Sequence, residues 1–455
     1  MKLTRRQLVA GAAGAALGAA GIYELADRLS ESPARSAAVP LGPRPPEQHV
    51  LDGVPVVVEN GVEVVVPPRH HLVVTARVKQ GVEPAKAQLE LEQALRGLES
   101  RYEQTPAGLG LTLAWGLPYF DRYVAAAAAS HLPYDRRAQK PALLPTRRFP
   151  SDPHGTILEE NDLALLIRSD RLEHIEDARR TLLDDLGVFE PHSLRRGFVG
   201  GDLPRRLAVA AGIPGADLIP ENSELFLGFT STQKAGLGPR RIANFETLGL
   251  VDLRGGYFRG GTHMHLSHIF EDLEAWYLNF AFQERVDTAF RPGLKVAENA
   301  QTVPQGPKQV ASTQEVERDF KRAGRFGHSA SIQTSSRLLQ DTTGEDGTVY
   351  VKGTAIPQRA DFNTLDNPFA WSADPERDGL VAGAAAGVHF VVFNPSSDDF
   401  HRNRLAMDGV LPDGTRLPLQ AGARGQGFNS VLRTTHRQNL LVPPRRHRSF
   451  PLAEL

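Results

Sequence analysis

The order of strand-like and helix-like segments predicts an α+β protein made of two ferredoxin-like lobes. Both halves of the chain contain apolar runs typical of buried strands, and each half also contains segments with apolar residues at helical spacing. A length of 455 residues suffices for two domains or one two-lobed unit. Hydrophobic residues make up 41% and charged residues 23% of the chain, which is typical of a globular protein.

The first half begins with a predicted hairpin, since VPVVVENGVEVVVPP carries Asn60-Gly61 as a turn between two β-branched runs. Apolar residues at helical spacing predict two helices in this half, and the second of them ends at Gly187. The predicted elements are a hairpin over 54–68, strands over 71–78, 109–117 and 162–170, and helices over 84–104 and 171–187.

The second half has the same kinds of element in a similar order. Its predicted strands cover 260–270, 388–394 and 437–444, and its predicted helices cover 271–290 and 397–411. A repeated β-α-β order is typical of two packed ferredoxin-like units. The Gly- and Pro-rich stretches over 292–325 and 340–380 are long for loops, which indicates functional or covering segments.

Composition excludes several kinds of function. The formal net charge is −1, so no basic excess points to nucleic acid as a partner. The chain has no cysteine, which excludes disulfides, thiolate metal sites, iron–sulfur clusters and cysteine nucleophiles.

The N-terminus has the features of an export signal. Thr4-Arg5-Arg6-Gln7-Leu8 resembles the twin-arginine motif, and the weakly apolar run over 8–22 is short for a membrane span. We therefore expect residues 1–40 to be a twin-arginine signal peptide and linker. The twin-arginine translocase would be a partner during export, and the mature protein would be periplasmic or extracellular. A cytoplasmic amphipathic helix or a weak membrane anchor is the alternative.

Several segments together resemble the dye-decolourising (Dyp-type) haem peroxidases. They occur in the family's order between about residue 70 and about residue 450. The segments are LTLAWGLPYFDRYV (111–124), DLALLIRSD (162–170), GGTHMHLSHIFEDLEAW (260–276), QERVDTAFRPGL (283–294), VHFVVFNPSSDDFHRNRLAMDG (388–409) and NLLVPP (439–444).

The resemblance implies a fold and a cofactor. The fold would be a duplicated antiparallel sheet covered by helices, of the dimeric α+β barrel-like superfamily, with an N-terminal lobe over 48–235 and a haem-binding lobe over 236–455. The cofactor would be haem b, with its iron held by His328, the position that matches the family's proximal ligand. A neutral imidazole is a usual haem ligand. Considered without the resemblance, His328 is better interpreted as a solvated loop histidine, since histidine is most often at the surface or partly buried.

On the peroxide side the sequence departs from the family pattern G-F-x-D-G. The matching stretch begins Gly228-Phe229, and Ser231 occupies the position of the Asp. A serine hydroxyl is not a general base near neutral pH without help, although it can hold a water. Arg359 matches the family's distal Arg, which would stabilise charge on the departing oxygen. Asp361, or a neighbouring carboxylate, is a candidate to replace the missing Asp; the alternative is an ordinary turn residue.

The resemblance therefore implies an exported peroxidase that oxidises a small organic or metal donor with hydrogen peroxide. The alternative is a non-catalytic relative that binds haem or another ligand and has lost the distal Asp. Assembly into a homo-oligomer is a further hypothesis.

Other patterns are weaker. His263 and His265 of the H-x-H-x-x-H sequence share a strand face and could seat copper or zinc, but polar residues on a half-exposed strand are the preferred interpretation. The basic cluster over 445–448 is interpreted as a solvated tail or a patch for haem propionates. Trp115 and Trp276 could relay electrons, although aromatic residues on such elements are more often core.

Overall fold

The computed structural model describes most of the chain. The described residues are 22–26, 44, 46–59, 62–136, 138–229, 256–298, 311–338, 340–343, 349–352, 356–367, 383–419 and 424–455. Among them, no helix combines the length and the apolar character needed to cross a membrane.

The first lobe contains strands β1 to β9 and helices α1 to α6. Its strands are β1 Val56–Glu59, β2 Val62–Val65, β3 His70–Val78, β4 Gly110–Trp115, β5 Tyr134–Asp135, β6 Lys140–Pro141, β7 Ile157–Leu158, β8 Leu163–Ser169 and β9 Phe189–Phe198. Its helices are α1 over 22–26, α2 Pro84–Arg101, α3 Leu117–Tyr123, α4 Ala125–His131, α5 Leu172–Arg179 with a wider turn over Arg180–Asp185, and α6 Leu203–Ala210.

The second lobe continues the numbering in chain order. Its strands are β10 Thr262–Glu271, β11 Thr342–Thr343, β12 Val349–Tyr350, β13 Gln358–Arg359, β14 Phe362–Thr364, β15 Gly387–Asn394 and β16 Leu432–Val442. Its helices are α7 Leu273–Asn279, α8 Phe282–Ala289, α9 Thr313–Ala323, α10 His328–Ser336 and α11 Ser397–Met407.

Each lobe has ferredoxin-like topology, so the predicted α+β fold with two such lobes is confirmed. In the first lobe the spatial order is β4-β8-β3-β9, and in the second it is β14-β15-β10-β16. Both are the same 2-3-1-4 arrangement of an antiparallel βαββαβ unit. The similar order of elements in the two halves of the sequence therefore correctly indicated two lobes of the same architecture.

The two four-stranded sheets join edge to edge into one barrel. The edge strand β9 meets β14 at Phe198 and Asn363, and β4 meets β16 at Trp115 and Leu441. Closure leaves neither sheet with a free edge at these junctions, which removes a surface prone to aggregation. Alternate residues point into the barrel, and its apolar filling includes Val73, Ala114, Leu166, Met264, Leu266, Val391, Phe393 and Leu440.

Several element boundaries differ from the sequence predictions. The helix expected over 271–290 is two helices, α7 and α8, because the backbone is extended at Ala281. Strand β10 continues through Glu271, and Asp272 caps α7 by accepting a hydrogen bond from the backbone N–H of Ala275 at 3.0 Å. The predicted hairpin is present as β1 and β2, although its turn at residues 60 and 61 lies outside the described residues.

A short piece of the predicted signal and linker segment packs against the lobes. Residues 22–26 form helix α1, in which Ile22 and Tyr23 are buried. The Tyr23 hydroxyl donates to Asp366 Oδ1 at 2.8 Å, and it also lies 2.9 Å from the Arg196 carbonyl oxygen. This contact ties the segment to both lobes. The predicted boundary between the lobes, at residues 235 and 236, lies outside the described part of the chain.

Candidate active site

The second lobe contains a cavity of about 240 Å³ between its sheet and helices α8, α10 and α11. This volume is roughly twenty times what one water needs, so the cavity is of a size to hold a ligand. Most of its wall is apolar. The apolar lining residues are Leu225, Leu227, Phe229, Ile269, Ala289, Phe290, Ile332, Pro357, Val388, Phe390, Val392, Phe400, Met407, Phe428 and Leu432.

His328 lines this cavity as the first residue of α10. Its position depends on Gly327, where an added Cβ would lie only 2.0 Å from the Phe290 carbonyl oxygen. The same oxygen accepts a hydrogen bond from the Ala330 N–H at 3.1 Å, so the start of α10 is held closely against the end of α8. The glycine before His328 is therefore required for close packing of the backbone.

The imidazole of His328 is in the chemical form that binds a metal. Burial, followed by the charges of Arg359 and Arg404, lowers its pKa to about 3, so the ring is neutral. The ring packs against Phe428 with centroids 4.8 Å apart. Within the described residues, no side chain or backbone group forms a hydrogen bond with either ring nitrogen.

Arg359 and Asp361 line the same cavity as an ion pair. Arg359 Nε donates to Asp361 Oδ1 at 2.9 Å, and Nη2 donates to Oδ2. The guanidinium also lies over the Phe390 ring, 5.7 Å from its centroid. Asp361 thus fixes the orientation of Arg359, and both of its carboxylate oxygens are engaged. Two parallel hydrogen bonds of this kind are typical of a bidentate arginine–carboxylate pair.

Phe229 lies on the cavity wall and packs edge-on against Phe290, with centroids 5.1 Å apart. Ser231 lies outside the described residues, so its predicted place on the peroxide side, opposite His328, stays a prediction. The structure thus brings together four of the five residues singled out from sequence: His328, Arg359, Asp361 and Phe229.

Sequence reasoning missed Glu271, a second carboxyl on the cavity wall. It is the last residue of β10 and only 7% exposed, and its Oε2 has no hydrogen-bond partner. Burial, together with the negative charge of Asp361, raises its pKa to about 8 against the opposing effect of Arg359. Glu271 is therefore a neutral carboxylic acid near pH 7. Side chains alternate between the two faces of a strand, and Ser267 and Ile269 on the same face also line the cavity. This alternation could have identified Glu271 from the sequence.

A buried ion network forms another part of the wall. Arg437 and Arg404 both bind Asp152, at 2.5 and 3.3 Å, and Arg404 also pairs with Asp408 at 2.9 Å. Both arginines line the cavity, as does Arg337, whose pKa is lowered by burial. Guanidinium groups in such positions suit carboxylate groups of a ligand.

The histidine-rich strand β10 is part of the buried interior of the second lobe. His263 and His265 share the helix-facing side, as predicted, but both ring nitrogens of His265 are engaged, by Asn439 Oδ1 at 2.8 Å and Ser267 Oγ at 2.6 Å. No group of three or more metal-type ligands occurs among the residues that the structure describes. The prediction of a half-exposed strand is wrong, because the histidines of β10 are buried.

Two other patterns have structural roles. The basic cluster over 445–448 is neither a solvated tail nor part of the cavity wall, because Arg445 and Arg448 pair with Glu99 of α2. Trp276 is fully buried, and its Nε1–H donates to the Leu227 carbonyl oxygen at 2.9 Å. Trp115 is likewise core, donating to the Arg448 carbonyl oxygen at 2.8 Å.

The residues of the cavity fit a haem. The observation that decides this is His328: a neutral imidazole, without a hydrogen-bond partner among the described groups, on the wall of a large apolar cavity. The apolar walls suit the faces of the macrocycle, and the arginines suit its propionates. In haem proteins a carboxylate often accepts a hydrogen bond from the other ring nitrogen of such a histidine, and none of the described carboxylates does so for His328.

Similar structures define the fold class. Two variants of DypB from Rhodococcus jostii RHA1, each in complex with heme, match with TM-scores of 0.50 at 13% identity; the match covers 84% of this chain and 96% and 95% of theirs. The encapsulated DyP-type peroxidase from Mycobacterium smegmatis matches at 0.49 and 13%, covering 87% of this chain and 98% of that one. At this identity the likeness concerns the fold, which is that of the Dyp-type peroxidases.

A family pattern assigns the chain more directly than these similar structures do. The chain belongs to a family of unknown function (DUF7405), whose pattern it matches over residues 68–444. This range includes every barrel strand and all the cavity residues named above. None of the curated proteins compared with the chain matches it.

Proposed function

We propose that the protein is an exported haem-dependent peroxidase that oxidises an organic or metal donor with hydrogen peroxide. The observation that carries the proposal is the convergence of His328, Arg359 and Phe229 on one apolar cavity of ligand size. These residues are far apart in sequence and were chosen by resemblance alone. The Dyp-type fold supports the same conclusion independently of the individual side chains.

Each cavity residue would have a distinct role in this reaction. Bound haem supplies the redox chemistry by which peroxide is reduced and a donor oxidised. His328 would hold the iron through its neutral imidazole, and the apolar walls would exclude water from the site. Arg359, oriented by Asp361, would stabilise negative charge on the departing oxygen, a contribution of about 3 kcal/mol for one well-placed donor. Ser231 would hold a water by hydrogen bonds.

The test is reconstitution of the purified protein with haem, followed by hydrogen peroxide and a dye as electron donor. We expect a Soret band and dye oxidation that depends on peroxide. An Arg359→Leu variant should keep the Soret band and lose roughly 10²-fold in the rate of peroxide reaction. A Soret band without any peroxide reaction would favour the non-catalytic binder, for which the serine at position 231 is the main argument.

The Ser231→Asp variant sharpens this choice. A large gain in peroxide reactivity would support an impaired peroxidase site, because Asp restores a titratable group at the family position. An unchanged rate would mean that the proton is moved by another residue, or that the cavity only binds.

The export proposal rests on Arg5 and Arg6 in their sequence context. Replacing both with lysine should stop translocation of the folded protein and leave it in the cytoplasm, which cell fractionation measures. Translocation of the Lys-Lys variant at the normal level would contradict the twin-arginine route.

A further inference from the structure

The proposed peroxidase lacks an obvious group to move protons. Ser231 is a poor general base, and the Asp361 carboxylate is engaged on both oxygens by Arg359. Among the described lining residues, only one other carboxyl group is present, that of Glu271. Its backbone is fixed, because its N–H donates to the Ala386 carbonyl oxygen at 3.0 Å and its residue pairs with Leu432 across the sheet.

The surroundings of Glu271 suit proton transfer. The charged groups that act on it are Asp361 and Arg359, and its own charge adds to the effect of burial in raising the pKa of Tyr277 on α7. Its Oε2 is buried without a hydrogen-bond partner. Leaving a buried polar atom unpaired is unfavourable, and a ligand that bonds to it would remove this cost.

We propose that Glu271 is the proton-transfer residue of this cavity, acting on hydrogen peroxide bound beside the Arg359–Asp361 pair. This inference rests on the proposed function. A neutral carboxylic acid has one O–H donor and one carbonyl acceptor. It can therefore give a proton to one peroxide oxygen and take one from the other without changing its own charge.

The step balances in atoms and electrons. The O–O bond breaks, the Glu271 O–H delivers its proton to the departing oxygen, and that oxygen leaves as water. The Glu271 carbonyl oxygen accepts the proton of the second peroxide oxygen, so the carboxyl is neutral again. Bound haem would supply the two electrons that O–O cleavage needs and would retain the second oxygen, which two electrons from the donor and two protons from solvent would then convert into a second water.

The first part of the test needs no haem. In apoprotein, infrared titration should show a protonated carboxyl band that disappears as pH rises through about 8 and is absent in Glu271→Gln. The matched control is Asp366→Asn, which removes a buried carboxyl outside the cavity, whose pKa is raised to about 6. Asp366→Asn should leave the Glu271 band unchanged.

The second part uses haem-loaded protein and stopped-flow mixing with peroxide. We expect the wild-type rate to fall as pH rises through about 8, because the neutral carboxyl is lost. Glu271→Gln should bind haem as wild type does, react roughly 10²-fold more slowly and lose this pH dependence. Glu271→Asp should recover part of the rate, and Asp366→Asn should behave as wild type.

The outcomes separate the two proposals. Equal peroxide rates in wild type and Glu271→Gln, with normal haem binding, would overturn the role of Glu271 and leave the peroxidase proposal standing. Absence of haem binding in every variant would overturn the peroxidase proposal and this inference with it, even if the infrared band behaves as expected.

Discussion

The two lobes have the same topology and very different interiors on their helical side. In the first lobe, α2 is one helix of 18 residues whose Leu91, Leu95 and Leu98 pack onto the sheet. In the second lobe, the corresponding segment is broken into α7 and α8. The break and the inserted helix α10 accompany a cavity where the first lobe has core.

The strand faces differ in the same way. The helix-facing residues of β3 that pack in the first core are Leu72, Val74, Ala76 and Val78. On β10, the equivalent first strand of the second lobe, the cavity-facing residues are Ser267, Ile269 and Glu271. A duplicated fold can therefore have a packed core in one copy and an open cavity in the other, since topology constrains the backbone more than it constrains the side chains.

The largest expected contrast between the lobes concerns truncation of apolar side chains. Leu95→Ala should lower the free energy of unfolding by about 2–5 kcal/mol, because Leu95 is fully buried in a packed core. Ile332→Ala, on the cavity wall, should cost about 1 kcal/mol or less, because that side chain already faces open space. Urea unfolding of both variants measures the difference. Equal losses would mean that the second lobe is as tightly packed as the first.

A pair of glycine substitutions tests local packing. Gly327→Ala should destabilise by about 1–3 kcal/mol and weaken haem binding, because its Cβ would collide with the Phe290 backbone and displace His328. Gly97→Ala in α2 meets nothing within 4 Å and should stabilise by about 0.5–1 kcal/mol. Thermal unfolding and a haem titration measure both effects, and normal haem binding by Gly327→Ala would count against the assigned geometry.

Acid should destabilise the protein through its buried histidines. Burial lowers the pKa of His263 from 6.5 to about 3, so the folded state keeps the ring neutral while the unfolded chain takes up a proton below about pH 6.5. The unfolded state then binds more protons, and stability is lost as pH falls, by at most about 2 kcal/mol per such histidine between pH 6.5 and 5. His263→Asn should reduce this loss, as measured by urea unfolding at both pH values; the same pH dependence in the variant would contradict the assignment.

Glu271 has the opposite effect on the pH dependence of stability. Its pKa is raised from 4.5 to about 8, so the folded state holds a proton that the unfolded chain has lost, and stability falls as pH rises between these values. In apoprotein, Glu271→Gln should remove this part of the alkaline loss, which is at most about 4 kcal/mol between pH 4.5 and 8. Unfolding curves with the same pH dependence in both proteins would show that the carboxyl is not buried as described.

Much of the fold could be predicted because its signals are local. Apolar runs such as those of β3 and β8 are typical of buried strands, and the repeated order of elements indicated two lobes. The division of the predicted helix and the closure of the barrel were harder to predict. Extended backbone at Ala281 divides a segment whose apolar spacing suits one helix, and the closure of the barrel at Phe198 and Asn363 depends on contacts between distant strands.

The site was predicted only in part for a similar reason. His328 and Arg359 came from resemblance, and their common cavity could not be derived from spacing. Glu271 was assigned to the first turn of a helix, where acidic residues are common and usually solvated. In the structure the strand continues through Glu271 and Asp272 caps the helix instead, so a shift of one or two residues at a boundary converts a surface carboxyl into a buried one.

The central claim is that the second-lobe cavity binds haem through His328. Its most direct test is an absorbance titration of the purified wild-type protein and of His328→Ala with haem. We expect one haem per wild-type chain with a distinct Soret band, and binding weakened more than about 10-fold with an altered spectrum in His328→Ala. No Soret change in wild type, or identical titrations for the two proteins, would contradict the claim.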